Sequence, residues 1–245
     1  MKLNADVGEG YGVWTMGDDE VLFPYIHMAN IACGGHASDP ITMQKTVRLA
    51  KKYDVAVGAH PSFPDILGFG RRTMSMDPEE AALHMLSQVG SLQLIAASEG
   101  AVIEYIKPHG ALYNQMMDDL SLMTSILKAL ASTKLKIPLM ILGTPDHKTH
   151  RKLADQENVS LLFEAFADRR YTPEGRLQSR AIDGSVFQES EQIIRQAEQI
   201  IVGGRVMASN GKIIQIPSDT ICIHGDKAIS TQTIKQLKDL ADRPQ

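Results

Sequence analysis

The 245-residue chain contains only two cysteines, one tryptophan and no long run of residues with one charge. Its formal net charge is −4, and no basic tract is long enough to predict binding to nucleic acid or to a membrane surface. No run of 18 apolar residues is present, so no membrane-spanning helix is predicted. The first residues have the pattern of a strand and not of an apolar leader, and we expect a soluble, cytoplasmic protein.

Familiar signatures of cofactor and metal sites are also missing. The loop at 6–12 carries Asp6 and Glu9 but lacks the GxGxxG pattern of a dinucleotide site. Lys212 follows Gly211 but precedes Ile213 in a hairpin pattern, which excludes a P-loop, and there is no HExxH or paired CxxC. If ATP is used, its phosphates bind at a site that lacks these motifs or on another subunit.

Both cysteines lie inside apolar runs that have the pattern of strands. We therefore predict that Cys33 and Cys222 are buried free thiols, with a nucleophile or a disulfide as the alternatives.

Short apolar segments alternate with helical patterns along the whole chain, which predicts an α/β fold with a parallel sheet covered by helices. The predicted strands are 2–6, 28–33, 55–59, 102–106, 138–142, 160–165 and 220–224. Seven strands with polar residues at nearly every carboxyl end favour an irregular, TIM-like (β/α) barrel, and an open doubly wound sheet is the alternative.

We predict one domain over residues 1–245, with a β-hairpin excursion near 206–216. Asn210-Gly211 at the centre of that hairpin predicts a type I′ turn. Asp39 followed by Pro40 predicts the start of a helix, and the helix after the fourth strand is predicted over 119–132.

Polar side chains are concentrated where the predicted strands end. In a parallel sheet these ends share one rim, which would collect Asp6, His36, His60, Lys107, His109, Asp168, Arg169, His224 and Asp226. A single histidine after a strand commonly has a structural role, but four histidines with a lysine and carboxylates favour acid–base chemistry. Asp6, His36 and His60 are also candidate ligands for zinc or another divalent ion, although their spacing does not identify a metal.

Seven segments, taken together, resemble the LamB/YcsF family. They are 3–10 (LNADVGEG), 29–36 (ANIACGGH), 58–65 (GAHPSFPD), 69–72 (FGRR), 107–114 (KPHGALYN), 166–171 (FADRRY) and 221–226 (ICIHGD). They span essentially the whole chain and occur in order. Gly35 departs from the family pattern, in which many members have Phe before the histidine.

The resemblance implies ATP-dependent opening of 5-oxo-L-proline to L-glutamate, with ADP and phosphate as co-products and magnesium accompanying ATP. It also implies a 5-oxoprolinase complex with two partner subunits, B and C. The implied fold is a seven-stranded barrel related to the glycoside hydrolase/deacetylase group, in agreement with the strand pattern.

We assign roles to the rim residues as a hypothesis. Asp6 or Glu9 would activate water, and His60 or His109 would protonate the ring nitrogen. Lys107 would offset developing negative charge, and a methionine there is expected to cost activity without unfolding the protein. The candidate substrate-binding residues are Asn4, His36, Arg72, Asp168, Arg169, His224 and Asp226, with Arg72 or Arg169 as the clamp on the substrate carboxylate.

Two other functions remain open at this point. One is a metal-dependent deacetylase or amidase that uses Asp6, His36 and His60. The other is a non-catalytic protein of the complex that only binds ligand or partners.

Overall fold

The structure is a computed structural model that describes residues 1–223 and 230–243. Seven parallel strands form a closed barrel in the order β1, β2, β3, β4, β5, β6, β9, and β7 and β8 form a separate antiparallel pair. The strands are β1 (Lys2–Val7), β2 (Met28–Ala32), β3 (Ala56–His60), β4 (Ile103–Ile106), β5 (Leu139–Leu142), β6 (Leu161–Phe166), β7 (Arg205–Met207), β8 (Ile213–Gln215) and β9 (Thr220–Ile223).

Strand β1 closes the barrel because it pairs on both sides. Asn4 lies opposite Met28 of β2 and opposite Cys222 of β9. The predicted seven-stranded (β/α) barrel is therefore confirmed, and the open doubly wound sheet is wrong.

Helices cover the outside of the barrel. They are α1 (Asp19–Leu22), α2 (Pro40–Tyr53), α3 (Pro78–Ser98), α4 (Gly110–Asp118), α5 (Leu120–Ser132), α6 (His147–Gln156), α7 (Ser190–Gly203) and α8 (Thr231–Ala241), with a 3-10 turn at Phe23–Tyr25. Over 1–223 and 230–243, no helix combines the length and the apolar character needed to cross a membrane.

Two local predictions need correction. The helix predicted over 119–132 is not the first one after β4, because α4 already begins directly after His109. The hairpin at β7–β8 is confirmed, but its turn is not type I′, because Gly211 has a positive φ of 81° and Asn210 does not. The Gly211 amide instead donates to the carbonyl of Ala208, at 2.9 Å.

The barrel interior has an apolar floor and a polar upper layer. Met28, Tyr105 and Met140 form a buried cluster at the floor. Because side chains two residues apart share one face of a strand, the next inward positions lie above this cluster. Above Met28 and Tyr105 these positions carry polar side chains, the buried Asn30 on β2 and the buried Lys107 just after β4. The floor therefore supports a polar site at the carboxyl ends of the strands.

Gly58 makes room for the largest side chain of the floor. A Cβ atom at this position would lie 2.1 Å from the ring of Tyr105. The Tyr105 hydroxyl donates to Asn30 Oδ1 at 2.7 Å. By making room for the Tyr105 ring, Gly58 therefore also lets Tyr105 hold the Asn30 side chain in the polar upper layer.

Asp39 caps α2 as the sequence predicts, and it also holds the loop after β1. Its Oδ1 accepts from the Ile41 amide at 2.9 Å, and its Oδ2 accepts from the Gly12 amide at 2.9 Å and from the Thr42 hydroxyl at 2.7 Å. The hydroxyl of Thr42 and the amide of Gly12 lower the pKa of Asp39 to about 2.

Asp39→Ala is expected to lower the free energy of unfolding by about 1 kcal/mol at pH 7, the usual effect of losing an N-cap. Because the folded-state pKa lies below the ordinary value of 3.8, the ionised cap contributes fully above pH 4 and its contribution is lost as the pH falls through 2. Urea denaturation at pH 7 and pH 3 tests both points, with Asp39→Asn, which keeps an acceptor, as the control. Equal stability of Asp39→Ala and wild type at pH 7 would refute the cap.

Candidate active site

Asp6 and Lys107 form the centre of the rim. Asp6 lies near the end of β1 and Lys107 follows β4, and both side chains are buried. Lys107 Nζ donates to Asp6 Oδ1 at 2.9 Å, and Asn30 Nδ2 donates to the same oxygen at 2.8 Å. Asp6 Oδ2 remains directed at His60, with Nε2 3.3 Å away. One oxygen of the carboxylate is thus held in place and the other faces the histidines.

Glu164 is a second carboxylate partner of Lys107 that the sequence did not reveal. It lies inside β6, is completely buried, and places Oε2 3.2 Å from Lys107 Nζ. Burial opposes the charge of Lys107, but the carboxylates of Asp6 and Glu164 outweigh it and raise the lysine pKa well above its ordinary value. Lys107 is therefore a fixed positive charge and not a proton donor.

Both thiols are free and buried, as predicted. Burial raises the pKa of Cys33 to about 12 and that of Cys222 well above its usual range. Lys107 Nζ lies 3.2 Å from Cys222 Sγ, so this neutral thiol packs against the lysine beneath the site. Neither thiol has the lowered pKa of a nucleophile.

His60 and His109 face each other across the rim. His60 Nδ1 lies 2.7 Å from the Lys107 carbonyl, and His109 Nε2 lies 3.0 Å from the Phe69 carbonyl. Since a carbonyl only accepts hydrogen bonds, each of these nitrogens carries the proton of its ring. The remaining nitrogens, His60 Nε2 and His109 Nδ1, are 2.9 Å apart. Burial, followed by the neighbouring His36 and His60, lowers the pKa of His109 well below its ordinary value.

Glu9 and His36 complete the histidine cluster. His36 Nε2 lies 3.0 Å from Glu9 Oε1, and the same oxygen is 3.7 Å from His109 Nδ1. The ring of His36 stacks on that of His109 with a centroid separation of 3.7 Å. Ligand atoms of Glu9, His36, His60 and His109 all lie within 4.8 Å of one another. This cluster contains His36 and His60 of the metal ligands suggested by the sequence, adds Glu9 and His109, and does not include Asp6.

A cavity of about 370 Å³ opens above these residues. We call it the rim cavity, and its wall includes Asp6, His60, Arg71, Lys107, Arg169 and Arg180. Arg169 Nη2 donates to the Gln178 carbonyl at 2.7 Å. Burial, followed by the neighbouring Arg180, lowers the pKa of Arg169 to about 10. The wall is therefore built for an anion.

Several predicted substrate-binding residues occupy other positions. Arg72 is ion-paired with the buried Asp65 and is absent from the wall of the rim cavity, where Arg71 takes its place. Asn4 lies beneath the cavity, and its Oδ1 accepts from Asn30 Nδ2 at 2.8 Å. Arg72 therefore holds a loop and Asn4 supports the carboxylate layer, and neither side chain lines the rim cavity.

Four further residues that the sequence suggested for substrate binding lie away from the cavity wall or outside the described residues. Asp168 is buried and does not line the rim cavity, and its carbonyl accepts from the Phe187 amide at 2.8 Å. His36 also lies behind the wall, against His109 and Glu9. His224 and Asp226 lie outside the described residues.

The fold is a closed (β/α) barrel. At the carboxyl ends of its strands, a cavity is lined by a buried lysine, a carboxylate, histidines and arginines. This position and this lining are typical of the active site of a (β/α)-barrel enzyme. The family model described as LamB/YcsF family matches residues 1–243. The chain belongs to the LamB/YcsF family, as the sequence motifs had indicated.

Two relatives and one solved structure match nearly the whole chain. The A subunit of 5-oxoprolinase from Vibrio cholerae serotype O1 is 44% identical over 242 residues, with 99% of this chain and 98% of the relative covered. The A subunit of 5-oxoprolinase from Chromohalobacter salexigens is 44% identical over 240 residues, with 98% and 96% covered. The crystal structure of the lactam utilization protein from Thermus thermophilus has a TM-score of 0.89 and 36% identity, with 99% and 96% covered.

Proposed function

We propose that this chain is the A subunit of an ATP-dependent 5-oxoprolinase, which opens 5-oxo-L-proline to L-glutamate and converts ATP to ADP and phosphate. The observation that carries the proposal is the rim cavity, which joins a fixed Lys107–Asp6 pair to a wall with three guanidinium groups. The relatives from Vibrio cholerae and Chromohalobacter salexigens, whose names make them A subunits of 5-oxoprolinase, support the same reaction.

The shape and charge of the rim cavity suit a small cyclic acid. Its volume of about 370 Å³ is near the lower end of small-molecule sites, which span roughly 300–1,000 Å³. The carboxylate of 5-oxo-L-proline would pair with the arginines, because guanidinium groups bind carboxylates through two parallel hydrogen bonds. This orientation directs the lactam group toward Asp6 and Lys107.

The reaction needs activation, because a five-membered lactam is a poor electrophile and its nitrogen is a poor leaving group. Transfer of a phosphoryl group from ATP to the lactam oxygen gives an imidate-like phosphate. Water then adds to the lactam carbon, and the bond from carbon to nitrogen breaks. A second water hydrolyses the resulting acyl phosphate to the carboxylate and phosphate. In total, one lactam, one ATP and two waters give glutamate, ADP and phosphate.

Asp6 is placed to move the proton in this step. Its Oδ2 lies beside His60, and its Oδ1 accepts hydrogen bonds from Lys107 and Asn30. Asp6 would take a proton from the attacking water and pass it to the departing ring nitrogen. Glu9, the alternative base, does not line the rim cavity.

The geometry argues against His60 and His109 as the proton donors that the sequence suggested. The proton of each neutral ring lies on the nitrogen bound to a carbonyl, and the nitrogens that face each other carry lone pairs. We therefore assign the proton transfer to Asp6.

ATP and the partner subunits B and C are part of the same proposal. An arginine of the wall that does not hold the substrate carboxylate would accept the terminal phosphate, and magnesium would accompany the nucleotide. The rim cavity is small for a whole nucleotide in addition to the lactam, so we propose that the adenosine lies outside it, toward one of the partner subunits.

The adjacent arginines provide a matched pair of variants. Arg71→Met is expected to raise the KM for 5-oxo-L-proline at least tenfold, because it removes a guanidinium from the cavity wall. Arg72→Met should leave that KM within about twofold, because Arg72 is paired with Asp65 outside the wall. Steady-state kinetics of the assembled complex measure both values, and equal KM values for the two variants would refute the placement of the substrate carboxylate.

The proposed reaction is tested by 5-oxo-L-proline-dependent formation of ADP and glutamate, with this chain alone and with folded subunits B and C. We expect activity in the mixture only. Lack of activity in the mixture, with hydrolysis of other amides by the metal-loaded chain alone, would overturn the proposal in favour of a metal-dependent amidase.

A further inference from the structure

At the rim two ring nitrogens face each other, and with both rings neutral each of them carries a lone pair. His60 Nε2 and His109 Nδ1 are 2.9 Å apart, and the opposite nitrogen of each ring is bound to a backbone carbonyl. Two lone pairs at this distance repel each other unless something positive lies between them. A shared proton or a metal cation can supply that charge.

A carboxylate next to the histidine pair supplies a third donor atom, which a metal ion needs and a shared proton does not. Glu9 Oε1 lies 3.7 Å from His109 Nδ1 and within 4.8 Å of the His60 ligand atom. Ligand atoms bound at about 2.0–2.2 Å to one zinc ion lie roughly 3 to 3.5 Å apart, so the three atoms need to move by only a few tenths of an ångström to about one ångström.

The surroundings of the three atoms also match those of metal ligands. Histidine ligands generally donate their second N–H to a backbone carbonyl or a carboxylate, which fixes the ring, and both His60 and His109 have such a carbonyl. The Glu9 oxygen is held by His36 Nε2 at 3.0 Å. The His36 ring is parallel to that of His109, with 3° between the planes, so the in-plane lone pairs of the two rings do not converge on one point. His36 therefore positions Glu9 and is not a ligand in this arrangement.

We infer that His60 Nε2, His109 Nδ1 and Glu9 Oε1 bind one divalent transition-metal ion, of the zinc class, at the edge of the rim cavity. Two imidazoles and a carboxylate suit zinc, manganese or iron. Three protein ligands would leave a coordination position open, as in catalytic metal sites. Asp6 Oδ2 lies close to this group, 3.3 Å from His60 Nε2. The inference rests on ligand geometry and not on the proposed reaction.

Metal binding by the whole chain tests the inference directly. The protein is freed of metal with a chelator and titrated with zinc chloride, and bound zinc is measured by calorimetry and elemental analysis. We expect one zinc per chain. His109→Gln and Glu9→Gln should each weaken binding by at least about tenfold, whereas the exposed His84→Gln on α3 should bind like the wild type.

Anomalous diffraction at the zinc edge gives a second readout that does not depend on the folding of a variant. A peak between His60 Nε2 and His109 Nδ1 is the expected result. Absence of zinc from the wild type, a peak at other residues, or unchanged affinity in a folded His109→Gln protein would overturn the inference and leave a shared proton between the two rings.

Discussion

Lys107→Met is expected to lower the free energy of unfolding by about 3–5 kcal/mol and to abolish 5-oxo-L-proline-dependent turnover. The substitution removes the cation that pairs with Asp6 Oδ1 at 2.9 Å and with Glu164 Oε2 at 3.2 Å, and leaves both carboxylates buried. The sequence predicts that this variant loses activity without unfolding. The loss of stability follows from Glu164, which the sequence does not connect with Lys107.

Chemical denaturation and a second substitution separate the two effects. Lys107→Met/Glu164→Gln should regain part of the lost stability, because glutamine does not need a counter-charge, and it should remain inactive. Lys128→Met, at an exposed lysine of α5, is the matched control and should resemble the wild type in both respects. A Lys107→Met protein that is as stable as the wild type would show that the buried ion pairs are not as described.

Asp6→Asn is expected to lower kcat for 5-oxo-L-proline about 10²- to 10⁴-fold, the usual range for loss of a general base. Asparagine keeps the shape of the side chain and one acceptor oxygen for Lys107 and Asn30, so the architecture should survive. The oxygen that faces His60 is replaced by an amide nitrogen, or by an amide oxygen that cannot take a proton from water at neutral pH.

The kinetics of this variant need the assembled complex and a control for loss of negative charge. Glu104→Gln removes an exposed carboxylate from β4, the strand that precedes Lys107, and should leave kcat unchanged. Folding of both variants is checked by circular dichroism. If a folded Asp6→Asn complex turned over within about twofold of the wild type, Asp6 would not be the base.

The barrel and much of its rim could be predicted from the sequence, because strand periodicity and the polar residues after each strand indicate the same edge of one sheet. Asp6, His60, Lys107 and His109 are predicted to meet at this edge from strand positions alone, with no knowledge of the loop conformations. The structure places these four residues in contact.

Other parts of the site depend on geometry that local patterns do not encode. Glu164 is one charged residue within an apolar strand, which predicts neither an inward direction nor a partner. Adjacent Arg71 and Arg72 have the same local sequence signal, and the turn around Gly70 decides which one reaches the cavity. Gly110, the first residue of α4, has a positive φ of 57° and allows a close approach of two backbone segments, because a Cβ there would lie 2.4 Å from the Gly70 carbonyl oxygen.

The central claim, that the rim cavity binds the lactam, is tested most directly by a crystal structure of the chain or its complex with 5-oxo-L-proline. We expect electron density for 5-oxo-L-proline in the cavity, with the lactam group toward Asp6 and Lys107 and the carboxylate toward Arg71, Arg169 or Arg180. Density for 5-oxo-L-proline on a different protein of the complex, with solvent alone in the rim cavity, would contradict it.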